Sequence, residues 1–104
     1  MRIVIDADAC PKAVKNICLE LAKKYGLTVT MVIDDAQELS GDFETIVVGK
    51  DKDAVDHKIV EISDINDILI TQDYGLASIL IDKIFGLINP SGFKYTKWNI
   101  DTLM

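Results

Sequence analysis

The first eleven residues constrain the fold more than any other stretch of the chain. Residues 3–5 form a short β-branched and apolar run, Asp6 and Asp8 follow it, and Pro11 stands where a helix would begin. This order is typical of a buried strand, an acidic turn and a helix. Ligands of open α/β sheets bind just outside the carboxyl ends of the strands. The segment therefore predicts that Asp6 and Asp8 lie at the functional edge of such a sheet.

The composition indicates one small folded domain, residues 1–104. Hydrophobic residues make up 49% of the chain, which argues for a core and against disorder. Cys10 and Cys18 are separated by about 12 Å along one predicted helix, which is too far for a disulfide. This cysteine usage fits a reducing cytoplasm. We expect a soluble, unexported cytoplasmic protein because no apolar run reaches membrane-spanning length.

The charge is unevenly distributed. The net charge of -6 argues against simple electrostatic adhesion to nucleic acid. Residues 34–73 nevertheless carry twelve acids against three lysines, so the local excess is larger than the total suggests. Either this segment forms a solvated acidic face, or several of its carboxylates converge and bind cations.

The hydrophobic periodicity predicts five strands and three helices in alternation. After the strand at residues 3–5, strands are predicted at 27–33, 45–48, 66–71 and 85–88, and helices at 11–25, 53–62 and 74–84. Residues 34–44 form a polar connection with a helical turn over 36–39, and the last dozen residues have no clear period. This alternation predicts a three-layer α/β/α sandwich with a mostly parallel five-stranded sheet.

Helix one shows the clearest single stripe, and its end is well marked. Its apolar residues follow helical spacing and predict one buried face, made of Val14, Ile17, Cys18, Leu21, Ala22 and Tyr25. Gly26 is the expected C′ residue that ends the helix.

Further acids are predicted to join the first two. Asp73 follows the fourth strand, and Asp53 and Asp56 lie on the helix before that strand. If strand one is central, all five carboxylates share one edge and repel one another unless they are protonated or bridged by cations. Oxygen-only ligands suit Mg²⁺ or Mn²⁺. Such a site can bind and hydrolyse a phosphodiester.

Each of these side chains also has a purely structural interpretation. Asp8, Asp53 and Asp73 are all plausible helix caps. Cys10 lies at a helix start, but its acidic neighbours oppose a reactive thiolate. Thr71 either makes local hydrogen bonds or positions a metal ligand.

Four motifs, which together span nearly the whole chain, resemble the uncharacterised bacterial YaiI/YqxD family. They are Asp6-Ala7-Asp8-Ala9-Cys10-Pro11, Asp53-x-x-Asp56-x-x-Ile59-Val60, Asp67-Ile68-x-Ile70-Thr71-x-Asp73-x-x-Leu76-Ala77 and Asn89-Pro90-x-Gly92-x-x-Tyr95-Thr96. That family is similar in turn to PIN-like nucleases, which implies strand order 3-2-1-4-5 and cleavage of RNA with Mg²⁺ or Mn²⁺.

The resemblance also assigns roles to individual residues. It implies that Asp6, Asp56 and Asp73 are the catalytic acids and metal ligands, with Asp8 and Asp53 as further ligands. Candidate supporting residues are Thr71 and Cys10, and candidate substrate contacts are Lys12 and Asn89.

The chain departs from the family pattern at several points. Ser91 replaces a usual arginine, Gly75 a usual proline and Asp34 a common asparagine. The family's usual C-terminal helical tail is expected to be absent. These departures bear on substrate binding more than on metal binding.

The sequence thus predicts a metal-dependent nuclease of single-stranded RNA, and two alternatives stay open. One is a catalytically inactive PIN-like domain that binds RNA or protein. The other is a haloacid-dehalogenase-type phosphatase, because Asp6-x-Asp8 after an apolar strand imitates its nucleophile pair, although Cys10 stands where a threonine is expected. The wide apolar helices favour a homodimer.

Overall fold

A five-stranded sheet forms the middle layer of the part of the chain that the structure describes. The structure is a computed structural model that describes residues 1–34, 41, 43–51 and 53–103. The strands are β1 (Arg2–Asp6), β2 (Thr28–Ile33), β3 (Glu44–Val47), β4 (Asp67–Ile70) and β5 (Gly86–Ile88). Their order is β3-β2-β1-β4-β5, and each neighbouring pair is parallel. The predicted order and the central position of the first strand are confirmed.

Helices cover both faces of this sheet. They are α1 (Lys12–Tyr25), α2 (Ala54–Ile62), α3 (Tyr74–Leu80) and α4 (Lys97–Leu103), and a 3₁₀ turn, Ala7–Ala9, leads from β1 towards α1. Successive strand residues point to opposite faces. Ile3 and Ile5 therefore pack on the α1 side, whereas Val4 packs with residues of α2, α3 and α4 on the other. The predicted three-layer arrangement is confirmed.

The buried face of α1 is narrower than the sequence predicts. Gly26 ends the helix in the left-handed conformation, at φ +68°, as expected. Cys18 and Ala22 are buried, but Ile17, Leu21 and Tyr25 are 54%, 44% and 63% exposed. The prediction of one buried stripe was therefore wrong for these three. The sheet covers only one side of the helix, and the apolar set spreads beyond that side.

Two further differences concern the C-terminal third of the chain. Helix α3 ends at Leu80 instead of residue 84, and the chain turns there with the Lys83 amide donating to the Leu80 carbonyl at 2.9 Å. The last dozen residues, which showed no clear period, contain α4. Its start is capped reciprocally by the side chains of Thr96 and Asn99, each of which accepts a hydrogen bond from the other residue's amide. The helical turn predicted over 36–39 lies outside the described residues.

None of the helices within the described ranges is long and apolar enough to cross a membrane.

A buried ion pair holds the amino end of the sheet, opposite the predicted functional edge. Arg2 donates two hydrogen bonds to the Asp67 carboxylate, from Nε at 3.1 Å and from Nη2 at 2.6 Å. Its Nη2 also donates to the Ile62 carbonyl at 2.8 Å. The Asp67 side chain is only 5% exposed. Removal of the guanidinium would leave a carboxylate buried without its counter-ion, which costs far more than an intact pair contributes.

Arg2→Met should therefore destabilise the protein by about 3 kcal/mol, measured as the free energy of unfolding in urea. Lys58→Met is the matched control, because Lys58 pairs with the exposed Glu61 at 3.2 Å. It should change the stability by less than about 0.5 kcal/mol. Equal effects of the two substitutions would contradict a structural role for the Arg2 pair.

Candidate active site

A cavity of about 260 Å³ at the carboxyl edge of the sheet is lined mainly by carboxylates. They come from β1, from the loops that follow β1, β2 and β3, and from the first turn of α2. The acidic residues in its lining are Asp6, Asp8, Asp34, Asp51, Asp53 and Asp56, and Lys50 lies among them. Four of the five predicted acids thus border one cavity.

Asp6 is the most enclosed of these acids. It ends β1, is buried, and accepts a hydrogen bond on Oδ2 from the Thr71 hydroxyl at 2.9 Å. Burial raises the pKa of the Asp6 carboxyl, and the nearby charges of Asp8, Asp73 and Asp34 raise it further, while the Thr71 hydrogen bond works in the opposite direction. The fold therefore holds this carboxylate in place at an electrostatic cost.

Thr71 connects the two central strand ends. Its hydroxyl donates to Asp6 and accepts the Asp73 backbone amide at 3.1 Å, and its own amide donates to the Ile88 carbonyl at 3.1 Å. The side chain is fully buried. The two interpretations of Thr71, local hydrogen bonding and positioning of an acid, describe the same contacts.

Asp73 and Asp56 lie against each other across the edge. Asp73 caps α3, since its Oδ1 accepts the Leu76 amide at 3.0 Å. The Asp56 carboxyl is within hydrogen-bonding reach of Asp73. The pKa of Asp56 is raised to about 7, first by burial, then by this hydrogen bond and by the charges of Asp73, Asp6 and Asp53. Near neutral pH the Asp56 carboxyl is therefore partly protonated.

Asp8 and Asp53 do not serve as helix caps. Asp8 accepts the Asp34 backbone amide on Oδ2 at 2.8 Å, and Pro11 occupies the N-cap position of α1. Partial burial and the neighbouring Asp34 raise the pKa of Asp8. Asp53 precedes α2 in the left-handed conformation, at φ +70°, and makes no side-chain cap hydrogen bond. This conformation is uncommon for a residue other than glycine, although aspartate tolerates it comparatively well.

The structure does not bring the other candidate residues into the acidic cavity. Cys10 is buried with its thiol donating to the Pro11 carbonyl at 3.7 Å, and burial raises its pKa to about 11, so it stays a neutral thiol. Lys12 is exposed on the first turn of α1. Asn89 is buried, donates to the Tyr95 hydroxyl at 2.9 Å and accepts the Ser91 amide at 2.8 Å. These bonds hold Asn89 in the turn that follows β5, where it lines a different cavity.

Sequence reasoning missed three residues of the cavity, namely Asp34, Lys50 and Asp51. Asp34 follows β2 directly, and Lys50 and Asp51 follow the short β3 after Gly49. The signal that identified Asp6 and Asp73, an acid just after an apolar strand, was also present at these two strand ends.

The donor set suits a hard cation, but its present arrangement does not form a complete site. Among the described residues, no group of three carboxylate, imidazole or thiol side chains is placed so that it could hold a metal ion. The cavity nevertheless offers carboxylate oxygens, the ligands that Mg²⁺ and Mn²⁺ prefer. A cation bound there would compete with the proton of Asp56 and offset the repulsion between the carboxylates.

The raised pKa of Asp56 makes the stability depend on pH. The folded state keeps a proton that the unfolded chain loses near the ordinary value of 3.8, so this stabilisation is complete below that value and is lost as the pH rises through about 7. The pKa values of Asp6 and Asp8 are shifted in the same direction. We expect the melting temperature in a metal chelator to fall over this pH range, and Asp56→Asn to flatten the fall.

Glu61→Gln, which alters an exposed acid on the same helix, should retain the pH profile of the parent protein. A profile that Asp56→Asn leaves unchanged would show that Asp56 is not the titrating group.

Comparison with known proteins places the chain in a family. The model of an uncharacterised bacterial family, YaiI/YqxD, matches residues 4–104. A UPF0178 protein of Ruminiclostridium cellulolyticum is 43% identical over 105 residues, which cover 100% of this chain and 67% of the relative. A UPF0178 protein of Natranaerobius thermophilus is 42% identical, with 100% and 70% covered.

The chain thus spans about two thirds of the length of these relatives. No solved structure shows significant similarity to it. On the family match and on these identities, the chain belongs to the uncharacterised bacterial YaiI/YqxD family.

Proposed function

We propose that the acidic cavity is the active site of a Mg²⁺- or Mn²⁺-dependent nuclease of the PIN-like kind, which hydrolyses phosphodiester bonds of single-stranded RNA. The observation that carries the proposal is the convergence of carboxylates from separate elements on one cavity, with Asp73, outside that lining, within hydrogen-bonding reach of Asp56.

Helix capping does not explain this cluster. Of the three acids that sequence alone presents as caps, only Asp73 makes the capping bond, and Asp8 and Asp53 do not. Asp6 is buried, and its burial raises the pKa of its carboxyl. Acids held at such a cost in a concave site are typical of functional centres.

The strand order adds a weaker argument. The order β3-β2-β1-β4-β5 is the one that the PIN-like resemblance implies, with β1 in the centre. A shared fold does not establish activity, so this similarity only supports an assignment that rests on the acids.

The residues of the cavity then have distinct tasks. Asp6 and Asp56 of the cavity, together with the neighbouring Asp73, would hold the cation, and Asp8 and Asp53 would be additional oxygen donors from the cavity wall. Thr71 keeps Asp6 and the Asp73 backbone at a fixed separation. Lys50 contributes positive charge to a wall that would otherwise repel a phosphate. When bound, the divalent ion lowers the pKa of a coordinated water and offsets the charge of the phosphodiester.

The direct test is cleavage of a panel of single-stranded RNAs by the purified protein in Mn²⁺. The parent should cleave RNA, whereas Asp6→Asn and Asp73→Asn should each reduce the rate at least about 100-fold, because each removes a charged ligand while keeping the side-chain shape. Asp82→Asn is the matched control. Asp82 follows the C-terminal end of α3, outside the cavity lining, and forms an exposed ion pair with Lys97. This variant should cleave at the parental rate.

Two outcomes would replace this proposal. Binding of Mn²⁺ without cleavage of any RNA would favour a PIN-like domain that only binds RNA or protein. Turnover of a phosphomonoester, with beryllium fluoride trapped on Asp6, would favour the phosphatase.

A further inference from the structure

A second cavity, of about 370 Å³, lies beside the acidic edge. Gln72 and Tyr74 line it and flank Asp73 in the sequence, and Asp73 is within hydrogen-bonding reach of Asp56 in the lining of the acidic cavity. Other parts of its wall are formed by Pro11, at the start of α1, and by Phe93, in the turn after β5. This size lies in the range of small-molecule sites.

Two aromatic rings of this wall are fixed on a third ring that is buried. Tyr74 packs edge-on against Tyr95 with ring centroids 6.0 Å apart, and Phe93 does the same at 5.2 Å. Tyr95 is only 1% exposed, and its hydroxyl donates to the Thr71 carbonyl at 2.9 Å. Tyr74 and Phe93 each remain 37% exposed. Both rings therefore expose aromatic surface to solvent while the buried Tyr95 holds them in place.

The second cavity is uncharged, unlike its neighbour. Its described lining consists of proline, aromatic, amide and hydroxyl side chains, with no acid or base among them. The Gln72 side chain is itself anchored, donating to the Ala9 carbonyl at 2.5 Å. A phosphate or a cation would find no counter-charge in this lining. A flat, neutral ring with polar edges fits both the aromatic walls and the polar rim.

We propose that this cavity binds a nucleobase adjacent to the phosphodiester that the acidic cavity cleaves; the inference rests on the proposed nuclease function. Bases stack on aromatic side chains with little regard to sequence, so the site selects single-stranded nucleic acid and not a particular base. Tyr74 and Phe93 are the stacking residues. Both rings pack on Tyr95, whose hydroxyl bonds to Thr71, and Thr71 in turn bonds to Asp6. The position of the base is therefore coupled to that of Asp6.

The test measures the binding of a short fluorescein-labelled oligoadenylate in Ca²⁺, a hard cation that offsets the acidic charge. Tyr74→Leu and Phe93→Leu should each weaken binding about tenfold, whereas Tyr74→Phe should retain the parental affinity. An oligomer of the same length without bases should bind weakly and equally to all of these proteins. Phe85→Leu is the control, because this exposed ring precedes β5 at the opposite end of the sheet.

A second measurement avoids substitutions altogether. Titration of the parent protein with adenosine monophosphate should shift the amide resonances of Tyr74 and Phe93 more than that of Phe85. Parental oligoadenylate affinity in both leucine variants, or an equal loss for the oligomer without bases, would overturn the proposal, and so would an absence of shifts at Tyr74 and Phe93.

Different results would refute the base subsite and the nuclease activity. Ring-dependent binding by a protein that cleaves no RNA would support the subsite and refute hydrolysis. Cleavage with an unchanged KM in both leucine variants would support hydrolysis and refute the subsite.

Discussion

The hydroxyl of Thr71 is the contact on which the candidate site depends. It donates to Asp6 at the end of β1 and accepts the amide of Asp73 at the start of α3, so it fixes the distance between two acids from different strands. The carbonyl of the same residue accepts the Tyr95 hydroxyl, which supports the aromatic cavity. One buried residue thus connects the proposed catalytic acids to the proposed base subsite, and a shift of Thr71 would displace both.

The two ends of the sheet treat acidic side chains in opposite ways. At the amino end, the buried Asp67 carboxylate has a guanidinium partner in Arg2 and a backbone donor, the Asp64 amide. At the carboxyl end, six carboxylates line a cavity together with Lys50, and Asp56 keeps a proton up to about pH 7. This contrast between the two ends supports the proposed cation-binding role of the carboxyl end.

The sequence was sufficient to predict the sheet and most of the acids at its carboxyl edge. A β-branched run that ends in aspartate indicates both a strand and the position of its carboxyl end. The sequence could not show which half of the broad apolar set on α1 the sheet would cover, so Ile17 was misplaced. No glycine or proline directly follows α3 to mark its end in the sequence. The sequence signal for α4 is the pair of capping residues Thr96 and Asn99. The sequence offered Asn89 as a substrate contact but could not show that its side chain also closes a local turn, because this depends on its hydrogen bonds to Tyr95 and Ser91.

Calorimetric titration with Mn²⁺ would measure whether the converging acids bind a divalent cation, as we propose. Repeated in buffers of different ionisation enthalpy, the titration counts the protons released when a ligand must ionise. We expect the parent to bind Mn²⁺ near neutral pH and to release protons as the Asp56 carboxyl ionises, and we expect Asp6→Asn to bind Mn²⁺ much more weakly. Absence of binding at millimolar Mn²⁺, or equal affinity in Asp6→Asn, would contradict this proposal.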